Sequence, residues 1–177
     1  MKKALKHPKA KEEERLEFQN KIKKYEAEEK VIVFTDESGF VHSAPRTHGY
    51  SAKGKRCYGV HDWHPSKRTN VIGALVGKSL LTVSIFDGNV NTVIFNSWVE
   101  QDLIPKLPNN SVVVTDNASF HKSPYLKTMI EKAGHILEYL PPYSPDLNPI
   151  EPKWAQAKSR RRKYRCDVDT LFEKYML

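Results

Sequence analysis

Two short runs of the chain share one design. VIVFTD at 31–36 and SVVVTD at 111–116 are β-branched apolar stretches that close on Thr and then Asp. A third acidic residue, Glu151, ends the proline-rich stretch LPPYSPDLNPIE at 140–151. Asp often stands where a strand gives way to a turn, so Asp36 or Asp116 alone has an ordinary explanation. If the two strands lie parallel and adjacent, both side chains emerge at the same carboxyl edge, where open α/β sheets build their sites. Glu151 also has a structural explanation, since Asn148, Pro149 and Glu151 fit the N-cap, N1 and N3 positions of a capped helix. That explanation leaves Pro141, Pro142 and Pro145 unaccounted for, along with Trp154 and the basic residues that follow. A carboxylate that must be held in a fixed place relative to Asp36 and Asp116 accounts for the rigidity. Capping and ligation compete, because one carboxylate has few lone pairs to share.

Three convergent carboxylates make a hard, oxygen-rich site suited to Mg²⁺ or Mn²⁺. Two ions about 3.5–4 Å apart could activate an attacking oxygen and stabilise a leaving one in displacement at phosphorus. Bare carboxylates would repel a nucleic acid, so the cations must reverse the local sign while Lys and Arg hold the phosphates. The chain carries 29 Lys and Arg against 21 Asp and Glu, a net charge of +8 over 177 residues, which favours a polyanionic partner. Hydrophobic residues make up 39 %, enough for one globular domain with a real core. Cys57 and Cys166 form neither a disulfide framework nor a metal pattern, which suits a reducing cytoplasm. No apolar run approaches the ~18 residues of a membrane span, and the lysine-rich start lacks an apolar signal core. The chemistry is phosphodiester chemistry; the residues alone leave hydrolysis and strand transfer both open.

The elements that must position these groups follow from pattern. Residues 1–30 are dense in both charge signs, with Leu16, Phe18, Ile22 and Tyr25 as a thin apolar stripe, and read as an exposed linker helix. After the strand ending at Asp36, the stretches GFVHSA, HGYSAKGKRCYGV, NVIGALVG and LLTVSIF read as a meander of strands and turns, with an Asp-Gly turn in FDGNV. Asn91 caps a helix that carries Ile94, Phe95, Trp98, Val99 and Leu103 on one face and closes at Pro105 and Pro108. Ser123 and Pro124 open the next helix, Gly134 ends it, and HILEYL is a further strand. The strand–helix–strand unit over 111–140 implies a parallel crossover. A terminal helix begins near Glu151. The expected class is α/β.

FTDESGF, VVVTDNASFHKS and LEYLPPYSPDLNPIEPKW, in this order, resemble the three signature blocks of the mariner superfamily of DDE transposases, in its bacterial insertion-sequence branch. The third block is highly specific, the first two modest. The 34 residues between Asp116 and Glu151 fit the spacing of that branch. The resemblance implies an RNase H-like fold, a five-stranded mixed sheet flanked by helices. Its boundaries would be a linker helix at 1–30, a catalytic domain at 31–165 and a helical tail at 166–177. It also implies Asp36, Asp116 and Glu151 as a catalytic, metal-binding triad using Mg²⁺ or Mn²⁺. Water would attack the element's end, and the freed 3′-hydroxyl would then attack target DNA, without a covalent protein intermediate. The expected partners are transposon-end and target DNA, and a second copy of the chain as a homodimer in the DNA complex. Family members normally carry an N-terminal helix-turn-helix region that reads the terminal repeats. Here the chain begins almost at the catalytic domain, as would the second half of a split reading frame with its helix-turn-helix polypeptide made separately, a truncated copy, or a domesticated remnant. This chain is expected to bind DNA without much sequence preference. The expected location is the bacterial cytoplasm, on the nucleoid when DNA is bound, with no membrane association. Two rival readings are an inactive or domesticated remnant that binds DNA, and a non-transposing nuclease of the same fold.

Supporting residues complete the expectation. Asn117, His121 and Asn148 are candidates to support the carboxylates from behind, though a turn cap explains His121 and a helix cap Asn148 equally simply. Glu37 is left out of the site because strand alternation sends it away from Asp36. Asp146 reads as a turn residue. Trp63, Trp98 and Trp154 read as core or interface fillers, and His61 and His64 as exposed loop residues rather than metal ligands. Phosphate contacts are expected from Lys158, Arg160, Arg161, Arg162, Lys163 and Arg165, with Arg46, Lys53, Lys55 and Arg56 as secondary candidates.

Overall fold

The run that begins at Ile32 does not stop at its aspartate. It continues to Val41 as the ten-residue strand β1 (Ile32–Val41). This corrects the expectation that Asp36 ends its strand, and the reason lies in the neighbours. The parallel partner β4 (Val112–Thr115) pairs with β1 only from Ile32↔Val112 to Phe34↔Val114. The antiparallel partner β2 (Arg68–Val76) stays paired with β1 from Val33↔Val76 to Val41↔Arg68. Asp36 thus stands where β4 departs, two residues beyond the last parallel pair, and Asp116 stands at the matching point on the other chain segment. The computed structural model describes residues 7–41, 51–56, 68–118 and 121–176.

Strand β3 (Ser79–Asp87) pairs antiparallel with β2, and β5 (Ile136–Tyr139) pairs parallel with β4, giving a five-stranded mixed sheet in the order β3-β2-β1-β4-β5. Residues 51–56, within the expected meander of strands and turns, form a turn: Lys55 N–H donates to Ala52 O at 2.9 Å, with Gly54 at φ 81°. Glycine allows that left-handed conformation at no steric cost.

Helices cover both faces. Asn91 caps α2 (Thr92–Trp98) by accepting from Ile94 N–H at 2.9 Å, and the helix runs on through a wider turn, Val99–Leu103, to Pro105. Ser123 caps α3 (Pro124–Lys132), accepting from Leu126 N–H at 3.1 Å, and Gly134 follows it at φ 83°. Phe95, Trp98, Leu103, Leu126 and Ile130 from this side pack on Val33, Ile72, Ala74 and Val113 of the sheet. On the other face α4 (Ile150–Tyr164) and α5 (Val168–Leu171) pack Ile150, Trp154, Ala157 and Leu171 against Phe40, Val71 and Leu75.

Beside them α1 (Glu12–Ala27) lays Phe18 on Val112, Val114 and Leu140, with Ile22 and Tyr25 packed alongside. Of the thin stripe expected in the first 30 residues, Phe18, Ile22 and Tyr25 dock α1 on the sheet while Leu16 stays exposed, and Arg15 is buried beside Phe18. Among the described residues no helix is long and apolar enough to cross a membrane.

Candidate active site

Asp36 is 8 % exposed, and one buried donor fixes it: Trp154 Nε1–H donates to Asp36 Oδ2 at 3.0 Å. The sequence reading took Trp154 as a core filler. It is one, at 2 % exposure, and its polar edge also holds a strand carboxylate. The signal was its place one turn after Glu151 on the same helix face. Room for the indole comes from Gly73, which pairs with Asp36 across β1–β2; a Cβ there would lie 2.6 Å from the Trp154 ring. Burial, then the nearby charges of Glu151 and Glu37, push the Asp36 carboxyl up to about 8. Asp116 adds to the same repulsion.

Asp116 is held differently. His121, fully buried, places Nδ1 2.5 Å from Asp116 Oδ1 and Nε2 2.8 Å from Glu37 Oε1. Ala118 N–H also donates to Asp116 Oδ1 at 2.9 Å, and Tyr139 O–H donates to His121 O at 2.9 Å. Burial alone would lower the His121 pKa. The bonds to Asp116 and Glu37 outweigh it and raise it to about 9, so at neutral pH an imidazolium donates to both carboxylates. Phe95 lies against this ring with centroids 4.1 Å apart. Burial would raise the Asp116 pKa, but the His121 and Ala118 bonds outweigh that and hold it below the usual carboxylate range. Strand alternation does turn Glu37 to the other face of β1, yet His121 brings it back into contact with the site. Glu37 does not line the cavity; it supports Asp116 through His121 from the other face.

Glu151 enters from the first turn of α4. The helix starts at Ile150 after Pro149, which has helical backbone angles. Asn148 is 3 % exposed and extended; it donates from Nδ2 to Thr35 O at 3.5 Å, while its Oδ1 accepts from Ile150 N–H at 3.4 Å, as an N-cap does. Asn148 therefore caps α4 and ties its start to β1, but Glu151 does not complete the expected capping box, since its carboxylate bonds no backbone N–H among the described residues. Glu151 is exposed, and among the described residues no hydrogen bond or ion pair engages its carboxylate.

A cavity of about 490 Å³ is lined by Asp36, Asp116, Asn117, Lys122, Asn148 and Glu151 together with the Leu140–Pro145 segment. The three carboxylates thus face one space from β1, from the end of β4 and from α4. Among the described residues no three acidic, His or Cys groups are yet gathered tightly enough to hold an ion. The donor set nevertheless fits a hard divalent cation. It is all carboxylate, Glu151 is uncommitted, and the mutual repulsion at Asp36 is the kind a cation relieves.

Lys122, passed over in the sequence, is exposed at the same cavity. Of the expected phosphate contacts, Arg160 donates to Tyr175 O, and Arg161 donates to Cys166 O at 3.3 Å and to Val41 O at 2.6 Å. Lys158 lies over the Phe40 ring at 5.6 Å. These three side chains tie α4 to its own surroundings. Arg162, Lys163 and Arg165 are exposed, as are Lys53, Lys55 and Arg56 on their turn. Arg46, Cys57, His61, Trp63 and His64 lie outside the described residues.

Residues 31–171 match the family described as DDE superfamily endonuclease. The chain belongs to that family. Its fold is similar to the Mos1 transposase in a paired-end complex with the left transposon end, at TM-score 0.70 and 18 % identity, covering 91 % of this chain and 53 % of that one. The Mos1 strand transfer complex gives TM-score 0.68 and 18 % identity over 90 % of this chain and 51 % of that one. The catalytic domain of Mos1 mariner transposase gives TM-score 0.65 and 13 % identity over 99 % and 85 %. The chain therefore spans about half the length of the Mos1 chains in the first two complexes. No curated protein matches it in sequence. The DDE family chain thus carries the RNase H-like arrangement of transposase catalytic domains, a five-stranded mixed sheet flanked by helices.

Proposed function

We propose that this DDE family chain is a transposase catalytic domain that cuts DNA strands and joins the resulting 3′-hydroxyl ends to target DNA. The observation that carries the reading is the shared cavity, which collects Asp36, Asp116 and an unengaged Glu151 from three separate elements. Asp36, Asp116 and Glu151 would hold Mg²⁺ or Mn²⁺, two ions when DNA is bound. When bound, such ions activate the attacking oxygen and stabilise the leaving one at phosphorus. Mos1 structures include paired-end complexes with Mg and with Mn. The 34-residue interval from Asp116 to Glu151 supports a place in the bacterial insertion-sequence branch.

The protein's own groups do the positioning. Trp154 fixes the rotamer of Asp36, and the His121 imidazolium fixes that of Asp116. Glu151 stays free to close on the cation. Lys122 at the cavity wall is placed to neutralise a phosphate beside the cut. Arg162, Lys163 and Arg165 extend the phosphate track along α4. Two ends must be joined in one reaction, so two copies of the chain would act together on DNA.

The test is nicking and 3′-end joining of duplex DNA in Mn²⁺, with Asp116→Asn as control. The wild-type chain should nick and join only with the divalent ion, and Asp116→Asn should fall to background. Cation-independent nicking, or equal nicking by the variant, would overturn the assignment.

A further inference from the structure

A two-pronged ion pair between distant parts of the chain lies outside the cavity lining. Arg15, in the first turn of α1, is 5 % exposed, and its Nη1 and Nη2 donate to Asp146 Oδ1 and Oδ2 at 2.9 and 2.7 Å. Asp146 sits on the single turn Pro145–Leu147, within the proline-rich loop that leads into α4. The N-terminal segment grips that loop twice more. The His7 ring stacks on Tyr143 with centroids 4.7 Å apart and planes 10° apart, and Leu147 packs against the cluster that holds Phe18.

A two-pronged guanidinium–carboxylate pair fixes both the place and the direction of its carboxylate, which a single lysine contact does not. Desolvating the arginine is costly while Asp146 keeps 41 % of its side chain exposed, so the pair is weak evidence for stability alone. The loop is also held in a conformation it would not choose: Tyr143 has φ 57°, a left-handed value that a bulky residue rarely adopts. From Asp146 the chain runs directly through Asn148, whose amide reaches Thr35 O, to Glu151, whose N–H donates to Asn148 O at 3.2 Å. Among the described residues no hydrogen bond or ion pair places the Glu151 carboxylate itself. Its backbone is set by the packing of α4 on the sheet and by the loop that enters α4, and α1 grips that loop.

We propose that Arg15 and Asp146 form a clamp through which α1 sets the entry of Glu151 into the cavity, making them positioning residues for divalent-cation binding. The inference rests on the metal-site reading above. It separates from simple adhesion of α1 to the sheet, because a clamp acts through Glu151 and adhesion does not.

The experiment is calorimetric titration of the whole chain with Mn²⁺, comparing wild type, Asp146→Asn and Arg15→Lys, each alone and with Glu151→Gln. With Glu151 present, both clamp variants should weaken Mn²⁺ binding by about tenfold, the lower end of the effect of groups that support a ligand from behind. With Glu151→Gln the same changes should matter by less than about twofold, the non-additivity expected of residues acting through one another. Asp146→Asn removes charge without changing volume, so it gives the answer even if Arg15→Lys fails to fold. No loss, or equal losses in both backgrounds, would overturn the clamp. A wild-type chain that binds no Mn²⁺ would overturn the metal-site reading and the clamp with it.

Discussion

At the scale of single residues, His121 shows how an imidazole can be made a permanent cation. Its ring is fully buried, which opposes the charge, yet Asp116 and Glu37 each accept one of its N–H groups and reverse that effect. In the metal-free chain the His121 ring protons should therefore titrate near 9, followed by NMR. Glu37→Gln removes one partner and should move that midpoint down. The folded-state value lies above the unfolded one, so this group's stabilisation is complete below about pH 6.5 and is lost as the pH rises through about 9. Denaturation in chelator across that range should show the fall, with its upper limit at lower pH in Glu37→Gln. A His121 midpoint at or below 6.5 would contradict the arrangement. Local pattern could nominate His121 beside Asp116 but not its bond to Glu37. Alternation along β1 correctly separates Glu37 from Asp36, but the histidine that reconnects it lies 84 residues away.

At the scale of elements, the site depends on how closely α4 lies on β1 and β2. Gly73 faces Asp36 across the strand pair, and the absence of a side chain there lets the Trp154 ring reach the carboxylate. Gly73→Ala should displace the indole, since its Cβ would fall 2.6 Å from Cη2 and 3.1 Å from Cζ2 of a ring with no room to swing. The expected cost is about 1–3 kcal/mol, typical of overpacking a filled core, measured by denaturant unfolding. The indole N–H resonance should shift as its bond to Asp36 lengthens. Unchanged stability with an unchanged indole signal would show that α4 can ride further from the sheet than the packing implies. The strands, the Asn91 and Ser123 caps and the helix bearing Glu151 were all legible from apolar periodicity and turn chemistry. The position of Asp36 inside its strand was not, because strand length was decided by pairing with β2, and no local signal in 31–36 reports its partner. The Asn148 cap was legible too, but its second bond was not: the amide that accepts from Ile150 N–H also donates to the Thr35 backbone, 113 residues away in the chain.

At the scale of the whole molecule, a chain of net charge +8 keeps a pocket of acidic groups, so if it acts on DNA as proposed, long-range attraction to the polyanion and local repulsion at the cavity must be separated in space. The structure divides the basic helix between two tasks. Arg160 and Arg161 satisfy backbone carbonyls and hold the end of α4 to β1 and to the following turns, whereas Arg162, Lys163 and Arg165 remain exposed. Replacing the latter three by Gln should lower the slope of log K against log salt by roughly 2–3, since each phosphate contact contributes about 0.9 on duplex DNA. Fluorescence anisotropy on a random duplex at several salt concentrations measures it. Replacing Arg160 and Arg161 should instead reduce thermal stability and lower that slope by less, because their guanidiniums are held on backbone carbonyls and are not free to reach a phosphate. An unchanged slope in the first variant, or a matching drop in the second, would place the DNA on a different face from the one that α4 presents.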